Sequence, residues 1–294
     1  MTLGDFRLIN PAWKLKSKFI FGPVGGAQTT PKTLQPYIGA DNKSEVEREW
    51  INKMIKSWPL YRRVLNQIYL IFAANPETQA YLRECINEPE KCKLLTENGV
   101  NTDQICAPPE KEDNDKVILL WSGRMIRRKG LSFLLDVLQL VKTKKPYILK
   151  LVGDGPEICH LKKQASELGL KDRIEFVGKV SYEEMQHLYS SSDVFVFPSL
   201  RETTGTVLFE AMVNSLPIVT FDQNGAALLV DNNCGIKVNV IDDLSKIKNN
   251  FAIALCKVID DPKLRSSMGH NARLRIIENY TWEQKCKRLY DEYL

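Results

Sequence analysis

The chain lacks the cysteine spacing of a zinc site. Its seven cysteines (85, 92, 106, 159, 234, 256 and 286) are scattered, odd in number and never arranged Cys-x-x-Cys. That pattern argues against structural zinc and favours a reducing compartment. No apolar run approaches the roughly 20 residues that a membrane span needs. The first twenty residues, MTLGDFRLINPAWKLKSKFI, have no apolar core of the signal-peptide kind. No block of Lys and Arg is long enough to announce a nucleic-acid binder, and there is no low-complexity tract or internal repeat. Histidine is scarce. His160, His187 and His270 are the whole complement, and both His160 and His187 fall in helical surface patterns that read as structural.

What remains is the composition of an ordinary globular protein. It is 44% hydrophobic and 26% charged, with a net charge of +5 over 294 residues. The length suits one large or two medium domains, and the mild positive balance leaves room for an anionic ligand. The segment CAPPEKEDNDK (106–116), dense in proline and charge, reads as a linker. Beyond it, short apolar runs alternate with amphipathic segments: VILLW, then LSFLLDVLQLVK; YILKLVG, then PEICHLKKQASELG; IEFVG, then SYEEMQHLYSS; DVFVFPS, then GTVLFEAMVN; and LPIVTF. Ser181 and Glu184 make a capping box. Strands with few polar positions interleaved with helices predict an α/β fold, a Rossmann-like doubly wound parallel sheet. The first region is sparser. FIFGPVGG reads as a buried strand entering a glycine turn, and residues 45–66 as a mostly polar helix. IYLIFAANPETQAYLREC reads as a strand followed by a helix capped by Asn75, with Pro76 in its first turn. These units are too few for a complete second Rossmann domain.

Ligands of an open parallel sheet bind beyond the carboxyl ends of its strands, and four such loops carry informative residues. WSGRMIRRKG places Arg124 and Lys129 where two cations can hold a pyrophosphate, although a solvated basic loop explains that segment taken alone. LVGDGPE is a glycine turn whose shape needs no ligand. FVGKVS puts Gly178 and Val180 where backbone groups can meet a nucleotide base. RETTGTVLFE delivers Glu202, Thr203 and Thr204, then starts a helix near Gly205 or Thr206. The unpaired N–H groups of Gly205, Thr206 and Val207 and the helix dipole attract an anion there. Glu210, about one turn inside, points back at the same place because helical side chains lean toward the N-terminus.

These segments together resemble a known family. SGRMIRRKG, LVGDGPE, IEFVGKVSYEEMQHLYSSSDVFVFPS, RETTGTVLFEA and LPIVTFDQNGAALLVDNNCGIKV resemble the C-terminal domain of retaining glycosyltransferases of family 4, which have the GT-B fold. FIFGPVGG and AANPETQAYL resemble the latter half of that family's N-terminal domain, in the subgroup that builds capsular or exopolysaccharides. YTWEQKCKRLYDEYL resembles its terminal helix, which crosses back to the first domain. The resemblance implies a UDP- or GDP-sugar donor, no metal or other cofactor, and a glycan or lipid-linked acceptor. It assigns the family's Glu-x₇-Glu pair to Glu202, at the transferred sugar, and Glu210, at the ribose. Arg124 and Lys129 become phosphate ligands, Gly205 to Val207 the diphosphate-binding helix start, and Gly22, Gly25 and Gly26 an acceptor-side loop.

The expected organisation is a partial N-terminal domain over 1–110, a donor-binding domain over 111–276 and a crossing helix over 277–294. The chain begins just after the position of a family histidine near the sugar. A shortened first domain is therefore expected, with donor binding surviving better than turnover. DQNGAALL also departs from the Gly-Gly and Glu that relatives often carry. A non-catalytic donor-binding subunit and a nucleotide-sugar epimerase of the same fold are the alternative readings. The expected location is cytoplasmic. INKMIKSWPLYRRVLNQIYLIF mixes basic and aromatic residues as an interfacial helix does, which adds peripheral contact with the inner face of the membrane to the expectations.

Overall fold

In the computed structural model, which describes residues 4–8, 11–14, 17–105 and 115–293, the strands form two parallel sheets. Ile20–Val24 (β1), Leu70–Ala73 (β2) and Cys92–Leu94 (β3) make a three-stranded sheet in that order. The connections carry Asn42–Ser57 (α1), Pro59–Gln67 (α2) and Pro76–Arg83 (α3). The predicted single helix over 45–66 is thus two. Pro59 forces the preceding Trp58 into an extended conformation (φ −81°, ψ 114°), which ends α1 and starts α2. Asn75 caps α3 as expected, accepting a hydrogen bond from the Thr78 amide at 2.9 Å. Of the expected linker, residues 106–114 lie outside the described residues.

The second unit alternates strand and helix through Val117–Ser122 (β4), Leu131–Leu138 (α4), Tyr147–Val152 (β5), Ile158–Glu167 (α5), Ile174–Gly178 (β6) and Tyr182–Ser190 (α6). It continues through Val194–Phe197 (β7), Thr206–Val213 (α7), Ile218–Phe221 (β8), Asn224–Leu229 (α8) and Gly235–Val238 (β9). Leu244–Asp260 (α9), Pro262–Asn279 (α10) and Trp282–Tyr293 (α11) follow. The six strands are parallel in the order β6-β5-β4-β7-β8-β9. The chain therefore leaves β4 toward one edge, returns, and leaves β7 toward the other, so the topological switch point lies between β4 and β7.

Strand alternation sorts the core onto two faces. Leu119, Trp121, Val194 and Val196 pack under α4 and α9. Leu120, Phe195 and Phe197 pack under α7 and α10. Among the described residues, no helix is long and apolar enough to cross a membrane. The capping box of α6 is present, with Ser181 and Glu184 in reciprocal bonds. Helix α5 starts at Ile158, two residues later than its proline suggested. The Glu157 amide just before it donates to the carbonyl of Met125 at 3.2 Å in the neighbouring loop.

The units meet through side chains as well as backbone. Fully buried Phe133 of α4 touches three rings: Phe221 at 5.1 Å, Phe251 at 5.6 Å and, from the first unit, Tyr37 at 5.4 Å. The Tyr37 hydroxyl donates to Asp136 at 2.6 Å. Phe133→Ala is expected to cost about 3–5 kcal/mol, the range for emptying a buried aromatic site. Urea unfolding measures it, and a loss below about 1 kcal/mol would mean that this ring junction does not hold the core.

Candidate active site

The ends of β4, β5 and β6 and the first turn of α7 enclose a cavity of about 750 Å³ at the switch point. Ser122, Gly123 and Arg124 come from the end of β4, and Val152 to Gly155 from β5. Lys179 to Ser181 follow β6, Tyr182, Met185 and Tyr189 belong to α6, and Val207 and Glu210 to α7. Its lining combines apolar Val152, Val180, Met185 and Val207 with the cations Arg124 and Lys179 and the carboxylates of Asp154 and Glu210. Three loops that seemed weak alone thus share one cavity. Gly178 does not line it. Its carbonyl accepts from the Gly153 amide at 2.7 Å.

Glu210 is the electrostatic centre of this cavity. Tyr189 donates its hydroxyl to Glu210 Oε2 at 2.7 Å and lies 3.1 Å from the Ser122 hydroxyl. Burial raises the Glu210 carboxyl above its ordinary value, and the Tyr189 bond, which favours the charged form, offsets part of that. Burial likewise raises the Tyr189 hydroxyl, so it stays a donor. Arg124, which also lines the cavity, is exposed. Its carbonyl accepts from the Ile126 amide at 2.9 Å, and its guanidinium makes no hydrogen bond or ion pair with any of the described residues.

Glu202 and Lys129 pair with each other on the neighbouring side of the same loops, each mostly covered. Arg128 adds a longer contact to Glu202 at 3.7 Å, and the Lys129 ammonium stands 5.8 Å from the Phe197 ring. Between this pair and Glu210 lies the start of α7. Gly205 precedes it in the left-handed region (φ 86°, ψ 83°), and no side chain caps the helix. Its first N–H groups stay open to a ligand. Thr204 is buried, with the Glu97 carboxylate beside its hydroxyl.

The first unit holds this loop in place. Gln28 Nε2 donates to Thr203 Oγ1 at 3.0 Å, and Asn75 Nδ2 to the Thr203 carbonyl at 3.3 Å. Gly25 lies so close that an added Cβ would stand 2.4 Å from the Thr203 methyl. Gly26 offers its carbonyl to Arg7 (2.8 Å) and Arg48 (2.9 Å). Gly22 is set back, against the backbone of β2. Further along, Glu77 at the start of α3 accepts the Asn224 amide at 2.7 Å, so DQNGAALL is held from the first unit too.

Several residues here were invisible to sequence reading. Tyr189 and Gln28 were not among the candidates that the sequence offered. Nor did the turn after β3, residues 96–99 (TENG), offer one. Yet Asn98 Nδ2 donates to Thr206 Oγ1 at 3.1 Å. Beside it, the Glu97 carboxyl is raised by burial and by the charge of Glu202.

Because the Glu210 pKa is raised in the fold, the folded state binds more protons than the unfolded chain between the ordinary and the raised value. Stability is therefore lost as pH climbs through that window. Glu210→Gln is expected to melt higher than the parent at about pH 7, with the advantage closing near pH 4. Thermal midpoints across that range test this, and a pH-independent difference would contradict the assigned burial cost.

Residues 104–275, more than half of the chain, match the family model described as Glycosyl transferases group 1. An uncharacterized glycosyltransferase of Methanocaldococcus jannaschii is 28% identical over 182 residues, 62% of this chain and 45% of that protein. The MMP alpha-(1->4)-mannosyltransferase of Mycolicibacterium hassiacum is 26% identical over 260 residues, 85% of this chain and 61% of that one. The chain spans about half the length of the curated relatives it matches. Among solved structures, sucrose-phosphate synthase from Thermosynechococcus elongatus is similar with a TM-score of 0.69 and 21% identity, over 95% of this chain and 68% of that chain. Anabaena HepE in complex with UDP is similar with a TM-score of 0.66 and 19% identity, over 82% of this chain and 67% of that chain. The two parallel sheets are those of the GT-B fold, and the chain belongs to the glycosyl transferases group 1 family.

Proposed function

We propose that this chain acts as a retaining glycosyltransferase that moves a sugar from a UDP- or GDP-sugar to a glycan or lipid-linked acceptor, in the building of a surface polysaccharide. One observation carries the reading: Arg124 and half-buried Glu210 line a single cavity at the switch point, with the open N-terminus of α7 at its edge. A nucleoside diphosphate needs that set, namely an apolar wall for the base, a carboxylate for the ribose hydroxyls and positive charge for the phosphates.

In this reading Glu210 accepts from the ribose, while Arg124, Lys129 and the amides of Gly205, Thr206 and Val207 bind the diphosphate. Breaking the bond between the sugar's anomeric carbon and the phosphate oxygen leaves its electron pair on the diphosphate. Fixed cations and helix amides stabilise that charge without a metal. The acceptor oxygen attacks from the face the phosphate leaves and passes its proton to the departing phosphate oxygen, so configuration is retained. Glu202 contacts the transferred sugar. Its pairing with Lys129 keeps both side chains beside the anion site before a donor arrives.

Glu210→Ala is expected to weaken UDP or GDP binding by about tenfold or more, the weight of one charge-assisted hydrogen bond. Glu202→Ala should keep that affinity and lower transfer or donor hydrolysis by about 10²–10³. Calorimetry and a donor-hydrolysis assay separate the two effects. Unchanged nucleotide affinity in Glu210→Ala would remove the ribose assignment.

We further propose that the chain works in the cytoplasm, against the inner face of the membrane, through α1 and the start of α2. Helix α1 has its polarity reversed. Glu45 and Asn52 are buried on its inner side, whereas Val46, Trp50 and Met54 face solvent, with Trp50 60% exposed. Trp58 (54%) and Leu60 extend the apolar surface. Lys53, Arg62 and Arg63 supply positive charge that complements anionic lipid, while Lys56 is paired with Glu84 and Glu47 and Glu49 precede Trp50 in α1. Tryptophan beside basic side chains is the composition of an interfacial surface. The chain is expected to co-sediment with vesicles containing anionic lipid, less so in high salt, and Trp50→Ser with Trp58→Ser to abolish this. No sedimentation, or self-association through this face in its place, would overturn the proposal.

A further inference from the structure

Lys285 of α11 is buried (4% exposed) without a hydrogen-bonded carboxylate. Its ammonium donates to the carbonyls of Thr96 and Asn98, at 2.7 Å each, and lies 4.4 Å from the Trp282 ring centroid. Burial lowers its pKa to about 8, against the charges of Cys286 and Glu97, which raise it. A charge held this way costs the fold, and a well-packed apolar side chain is often the more stable choice at such a site. The residue must therefore be read for what it positions.

The two carbonyls flank Glu97, so Lys285 fixes the TENG turn from below. Thr96 Oγ1 reinforces the turn by donating to the Asn98 carbonyl at 3.0 Å. The backbone strap beside it is also closed: Val100 donates to the Tyr280 carbonyl, and Trp282 to the Val100 carbonyl, both at 3.0 Å. Trp282 covers Gly99, where an added Cβ would lie 3.0 Å from the indole. The turn thus held presents Asn98 Nδ2 to Thr206 Oγ1 at 3.1 Å. Thr206 is the first residue of α7, and the reach from the C-terminal helix to the open amides is two hydrogen bonds.

We propose that Lys285 is a positioning residue for the anion-binding start of α7, acting through the Thr96–Asn98 turn and the Asn98–Thr206 bond. The terminal helix then sets the geometry of the donor site rather than only tying the units together. The donor role of α7 rests on the proposed function, whereas the mechanical coupling does not.

The test uses Lys285→Met, Asn98→Ala and the double variant of the full chain, with two readouts. Without ligand, exchange of the Leu208 amide, which bonds to the Gly205 carbonyl at 3.0 Å at the start of α7, is expected to quicken in each single variant, and no further in the double. Exchange unchanged at α7, or an additive double variant, would overturn the relay. Asn98→Ala removes only a partly exposed amide and should melt like the parent, so a folding defect in Lys285→Met cannot hide the answer. UDP affinity measured on the same proteins is expected to fall about fivefold in Asn98→Ala, the weight of one neutral hydrogen bond. Should the parent itself not bind UDP, the donor reading fails while the exchange data still decide the coupling.

Discussion

The crevice between β4 and β7 is the constraint on which the rest of the structure depends. Neighbouring strands whose chains depart in opposite directions leave no helix over their carboxyl ends. The loops after β4, β5 and β6 and the first turn of α7 fill that rim with side chains in place of backbone cover. A cavity bounded by a carboxylate, a cation and a helix N-terminus follows from connectivity. The identity of its residues then decides what it holds.

The site carries electrostatic costs that the fold absorbs elsewhere. Glu210 is kept partly out of water with Tyr189 as its hydrogen-bonding partner. Lys285 is buried against carbonyls, and Glu45, at 1% exposure, is paired with Arg201 at 2.9 Å. Each is balanced by packing that spans both units: the Phe133 rings, the Trp282–Gly99 contact, and the Phe72–Tyr293 pair at 5.3 Å. Buried polar groups of this kind weigh against stability and cluster at functional sites. The RETTG loop, clasped by Gln28 and Asn75 from one unit and continuous with α7 of the other, is where the two units become one site.

Much of this was legible in the chain. Apolar runs at strand length separated by amphipathic segments specify a parallel sheet, because only strands covered on both faces lack polar positions. Asn75, Pro76, Ser181 and Glu184 marked helix starts through local chemistry, and the structure has helices starting there. Helix ends were less legible. The start of α5 fell at Ile158, two residues beyond its proline, a shift that no local rule counts. The reversed polarity of α1 was hidden for a related reason. Periodicity shows that a helix has two unlike faces, not which one turns inward.

The sequence by itself determined the second unit's fold class, the strand-end loops and the candidates Arg124, Lys129, Glu202 and Glu210, since each depends on periodicity or on neighbours within one loop. Tertiary structure alone decided that Arg124 and Glu210 share one cavity while Glu202 closes on Lys129. It also decided that Tyr189 hydrogen-bonds Glu210 and that Lys285, 79 residues from Thr206, reaches it through Asn98. Those relations join positions far apart in the chain, and their energies depend on distance and burial, quantities that exist only once the sheets are packed.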